Sequence, residues 1–133
     1  MTTPSPTAIQ APVKPWRILA ALSVPGFLLA MPGGLLPLWG YHIRPAFFIA
    51  ALYFLALGSG LIAGAWLGLR LRRKYGDARL LTAGGFCASL ALLLLSLATP
   101  PAAVWYQCLA LVVSGAAAAQ INTGVFGLVE AAW

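Results

Sequence analysis

Acidic side chains are almost missing from this 133-residue chain, which holds two, Asp77 and Glu130, beside one histidine and two cysteines. With so few groups that carry protons or bind metals, no cluster of His, Asp, Glu and Cys converges on a reaction centre. Neither an enzyme, a cofactor nor a metal site is expected. No carboxylate or histidine falls in the middle of an apolar segment, so a buried proton relay is not expected either. Cys87 and Cys108 lie within apolar runs and read as small apolar fillers rather than as a disulfide or ligand pair. Charged residues of any kind make up 8% of the chain against 62% hydrophobic residues. That is too little polar surface to cover a water-soluble globule, and lipid becomes the expected solvent.

What the chain does have is long apolar runs, over residues 18–41, 47–69, 80–98 and 102–131. Each approaches or exceeds the ~20 residues that a helix rising ~1.5 Å per residue needs to span ~30 Å of hydrocarbon. Barrel strands would be ~10 residues long with alternating polarity, whereas Leu90 to Leu95 is unbroken Leu and Ala. Lipid offers the backbone no partners, so such runs close their hydrogen bonds as helices. The expected fold is all-α, with four transmembrane helices over residues 18–133.

The net charge of +6 does not point to nucleic acid, because the cations sit at the ends of apolar runs rather than over a solvated face. Lys14, Arg17, Arg70, Arg72, Arg73, Lys74 and Arg79 fall on one side of the expected topology, and Arg44 alone on the other. This asymmetry predicts both termini and the basic turn on the cytoplasmic side of a plasma or inner membrane. Residues 1–17, rich at first in Thr, Pro and Ala, are expected to form a disordered cytoplasmic tail. A cleaved signal peptide is disfavoured, since the first apolar run is too long and is followed by more membrane segments.

The four helices differ in character. The first contains Pro25, Pro32 and Pro37, and each proline removes a backbone donor and crowds the carbonyl four residues back. Kinks at Pro25 and Pro32 are expected, either static or bending in a conformational cycle. The second carries Ala56, Gly60, Gly64 and Gly68 at four-residue steps, a face that admits close approach of another backbone. The small residues from Ser114 to Ala119 are its expected partner, with dimerisation the less favoured use. Gln120, Asn122, Gln107 and Tyr53 are the polar residues expected either to line a pathway or to bond between helices. Asp77 is placed to cap the third helix, and Glu130 to pair with Arg72 or Arg73 at the same membrane level.

A basic start, a first helix ending in Leu36, Pro37 and Leu38, a glycine-stepped second helix and the turn from Gly68 to Arg79 together resemble the N-terminal part of a major facilitator superfamily transporter. The family signature between helices two and three runs Gly, any, Leu, Ala, Asp, Arg, any, Gly, Arg, Arg. Here Arg73, Lys74, Tyr75 and Gly76 stand at its Asp, Arg, any, Gly portion, with Arg73 replacing the acid. Gly68 lies one residue further from Gly76 than in the pattern, and Asp77 replaces the first basic residue after it. The resemblance implies a cytoplasmic gate motif at Gly68, Arg72, Arg73, Lys74, Gly76, Asp77 and Arg79, with Glu130 supplying the negative partner. It further implies alternating access to a small solute. Such transporters have twelve helices, which makes this chain an incomplete part whose C-terminal helices would be its partners. The competing expectation is a small four-helix membrane subunit or assembly factor without transport activity. A small multidrug transporter is disfavoured because the first helix has no acid.

Overall fold

The computed structural model describes residues 15–39, 47–99 and 102–132, and over these the chain is all helix, without strands. Four helices follow one another: α1 (Pro15–Leu38), α2 (Phe47–Tyr75), α3 (Asp77–Leu97) and α4 (Val104–Ala132). All four are long and apolar enough to cross a membrane, and the chain is a multi-pass membrane protein on that ground.

Helix α4 is the axis of the bundle. Of its apolar window 61% is buried, against 17%, 33% and 28% for α1, α2 and α3. Each of the other three packs on α4, whereas α2 and α3 touch each other only slightly. Composition explains the arrangement: Ser114, Gly115, Ala117 and Ala118 are all buried, and side chains this small let three neighbours close in from different directions. Two apolar cores are stacked along α4. Leu28, Ala88, Ala117, Ile121 and Val125 form one, with Ile18 and Leu22 against it. Tyr53, Leu57, Leu95 and Leu111 form the other, with Trp39 and Val104 against it. The start of α1 thus lies with the end of α4, and the end of α1 with the start of α4, so neighbouring helices run up and down. Phe48 at 82%, Ile62 at 75% and Phe86 at 74% exposure point outward, the surface a bundle presents to lipid rather than water.

The α2–α4 seam is closest at Gly60 and Gly115. A Cβ on Gly60 would stand 2.1 Å from the Val112 carbonyl oxygen, and one on Gly115 would stand 2.3 Å from that of Leu57. Gly64 repeats the contact one turn further along, against Ala116. Backbone meets backbone at these points, and dispersion contacts replace the hydrophobic drive that lipid lacks.

Helix α1 runs unbroken through its prolines, and Pro25, Leu28 and Pro32 share the buried face. Pro32 has no N–H to give the Leu28 carbonyl. The Ser114 hydroxyl of α4 donates to that same oxygen at 3.5 Å, with Leu28 and Ser114 both fully buried. Ser114→Ala is therefore expected to cost about 0.6 to 1.7 kcal/mol, the range for hydrogen bonds between membrane helices, measured by denaturant titration in micelles. In a Pro32→Ala background α1 regains its own donor, and the same Ser114 substitution should cost much less.

Several sequence expectations need correction. Helix α1 begins at Pro15, not Ile18, so residues 15–17 belong to a helix rather than to the tail. Proline suits a first helical position, where its missing donor has no intrahelical partner to lose. Residues 1–14 lie outside the described residues, as do His42 and Arg44 in the 40–46 connection. Helix α2 runs to Tyr75 instead of ending at Leu69. Arg70 to Lys74 therefore form its last turns rather than a loop, because Arg and Lys favour helix and offset the partial negative charge at its end. The turn shrinks to Gly76, whose φ of 81° and ψ of 170° suit glycine alone. Helix α3 begins at Asp77, three residues before Leu80, and α4 runs from Val104 to Ala132.

Candidate functional site

At the basic end of the bundle, one arginine joins three helices. Arg72 lies in the last turn of α2, with Nε 2.8 Å from Asp77 Oδ1 and Nη2 2.7 Å from Glu130 Oε2. Asp77 opens α3, and Glu130 is near the end of α4. Arginine suits this role, since its planar fork presents two N–H edges in different directions. The two partners differ in surroundings: the Asp77 side chain is 23% exposed and that of Glu130 is 68%. Asp77 Oδ1 is itself buried and has no aligned hydrogen bond, so its charge is met by the Arg72 ion pair.

Asp77 does not cap α3. Gly76 holds the cap position, no side chain bonds the free amides there, and the Asp77 carboxylate turns to Arg72 instead. A guanidinium within reach outcompetes backbone N–H groups that face solvent. Gly127 of α4 makes the space: a Cβ there would fall 2.4 Å from Asp77 Oδ1 and 2.8 Å from Arg72 Nε. Gly68 faces α4 one turn further in, with Thr123 Oγ1 3.3 Å from where its Cβ would be. Arg73, Lys74 and Arg79 are exposed. Among the described residues none of them forms an ion pair, and both carboxylate side chains of the sequence are engaged by Arg72.

The polar residues of the interior fall into separate places. At the far end the Tyr53 hydroxyl donates to Gln107 Oε1, and Gln107 Nε2 donates to the Ala98 carbonyl at 3.3 Å. Trp39 meets the Tyr53 ring edge-on with centroids 5.0 Å apart. This buried chain ties α2, α4 and the end of α3 together, with α1 leaning on it. Gln120 and Asn122 do not meet. Gln120 is 4% exposed and faces α3 beside Gly84, whereas Asn122, two residues on and ~200° round the helix, enters an open groove of about 400 Å³ between α2 and α4. Leu61, Ala65, Ala119 and Phe126 give that groove apolar walls. Neither amide side chain makes a hydrogen bond among the described residues. Cys87 and Cys108 are free and half-buried in different cores, and no group of His, Cys, Asp and Glu that could hold a metal ion occurs among the described residues.

Two contributors escaped the sequence reading. The pairing of Ser114 with Leu28 was signalled by Pro32 standing four residues after Leu28. Gly127 was signalled only by its place one helical turn before Glu130. Comparison with protein-family models, curated proteins and solved structures finds no match to this chain.

Proposed function

We propose that these four helices form one bundle of a secondary transporter that moves a small solute by alternating access. The basic end is cytoplasmic in this reading, and the membrane is the plasma or inner membrane. The observation that carries it is Arg72 binding Asp77 and Glu130 at once. Three helix ends are thereby closed on the side where the resemblance puts a gate motif, by one interaction that a conformational change can make and break. The role expected of Glu130 as negative partner falls to its bond with Arg72, not Arg73. Further support comes from Asn122, an amide in an otherwise largely apolar groove between α2 and α4. Transport by rocking of one bundle against another needs ionic contacts of this modest strength, since a contact that never opens gives no cycle.

The test uses the sole cysteine of an Asn122→Cys variant in which Cys87 and Cys108 have been replaced by alanine. In Glu130→Gln, the rate at which a thiol reagent supplied from the basic side labels position 122 should rise severalfold. Stability should change by no more than about 1 kcal/mol, because Glu130 is largely exposed. An unchanged labelling rate would count against a closing role for the cluster.

A further inference from the structure

We propose that the lipid-facing side of the α2 basic end is a binding site for an anionic phospholipid, with the phosphate held by Arg70 and Arg73 above Trp66. This stands on the membrane setting alone and does not depend on transport. Trp66, Arg70 and Arg73 are spaced i, i+4, i+7, which aligns them on one helix face, and all three are exposed. Arg72 is two residues from Arg70 and so points ~200° away, into the bundle. The end of α2 therefore has two unlike sides. The inner side is neutralised by the only two carboxylate side chains in the chain. The outer side carries Arg70, Arg73 and neighbouring Lys74, which form no ion pair among the described residues.

The outer side is also organised. The Arg70 guanidinium rests 3.9 Å from the centroid of the Trp66 ring, a cation–π contact that fixes the long side chain and leaves its N–H edges outward. No ion pair or hydrogen bond occupies those edges among the described residues. Trp66 lies ~6 Å deeper than Arg70 along the helix axis, the depth relation of an interfacial tryptophan to a headgroup cation. Deeper still on the same side, Ile62 is 75% exposed and offers apolar contact to an acyl chain, and Leu69, between Trp66 and Arg70 in depth, is 50% exposed. Lys74, its Nζ 5.1 Å from the Tyr75 ring, stands one turn beyond Arg70, where a headgroup's outer oxygens lie. Planar guanidinium groups prefer phosphate and bind it through two N–H bonds. The chemistry thus fits a phosphodiester anion joined to hydrocarbon, such as phosphatidylglycerol, better than a soluble anion.

The test is native mass spectrometry of the whole purified chain titrated with phosphatidylglycerol and, in parallel, with phosphatidylcholine. The wild-type chain should retain phosphatidylglycerol in clear preference. Arg70→Gln and Arg73→Gln should each weaken that preference about fivefold, as expected for one basic side chain at an anionic surface. Trp66→Ala should weaken it by loosening Arg70, with Trp66→Phe restoring most of the loss. Arg79→Gln, an exposed cation on α3 outside the face, should change it less than twofold. Glycerol 3-phosphate, which has the phosphate but no acyl chains, should not displace the lipid. Equal retention of the two lipids, an Arg79 effect as large as that of Arg70, or displacement by glycerol 3-phosphate would overturn the proposal. All the substituted side chains are exposed, and circular dichroism of each variant separates lost binding from lost folding.

Discussion

Alanine at Gly60 should lower the stability of the bundle by about 3 kcal/mol, the upper end of the overpacking range. A new Cβ there would meet the oxygen, carbonyl carbon and Cα of Val112 at 2.1, 2.8 and 2.9 Å. These are backbone atoms, which no rotamer change can move aside, so α2 and α4 must part along a seam that Gly64 and Gly115 also hold closed. Intrinsic propensity works the other way, since a helical Gly→Ala change alone gains up to about 1 kcal/mol. Gly58 supplies the control: it lies in the same helix, with nothing within 4 Å of its Cβ position. Denaturant titration in micelles should show Gly58→Ala neutral or stabilising and Gly60→Ala strongly destabilising. Equal effects at the two positions would mean that α2 and α4 do not pack as described.

Arg72→Ala should lower stability clearly more than Glu130→Gln by the same measurement. Two charge-assisted contacts vanish together, and Asp77, whose Oδ1 is buried, keeps a charge with no partner. The cost stays below that of a fully buried pair because Arg72 and Asp77 are 29% and 23% exposed. Lysine at position 72 should recover at most half, as a single ammonium lacks the fork that reaches both acids. Arg73→Ala, the adjacent exposed cation, should fall within about 0.5 kcal/mol of wild type. Equal losses at positions 72 and 73 would mean that general charge, not the Arg72 geometry, holds the helix ends together.

How much could be read in advance depended on the range of the physics involved. Four apolar runs of membrane length fix four helices because lipid leaves the backbone no alternative, and four such helices stand among the described residues. Helix ends were read less well. Apolarity ends at Leu69 but α2 continues to Tyr75, since backbone hydrogen bonding does not stop where side chains become charged. The contrary signal was present in Gly76, the first residue after the basic run able to take a positive φ without strain. Asp77 shows a local rule yielding to a tertiary one: its position suits a cap, but Arg72 lies closer to its charge, and only the fold brings Gly127 alongside to make room. The central place of α4 was present in the run from Ser114 to Ala119, though the same residues suit a helix with one neighbour as well as one with three. Gln120 and Asn122 look alike in sequence, yet two residues along a helix place them on nearly opposite faces.

The proposed function rests on the helices crossing a membrane with the Arg72 cluster on the cytoplasmic side. Helix α3 has an exposed residue near each end, Arg79 at the basic end and Thr99 just beyond the other. Single-cysteine variants Arg79→Cys and Thr99→Cys, made without Cys87 and Cys108, can be treated with a membrane-impermeant thiol reagent in intact cells and in inside-out vesicles. Thr99→Cys should react in cells and Arg79→Cys only in the vesicles. Labelling of Arg79→Cys from outside intact cells, or of both positions from one side, would contradict the account.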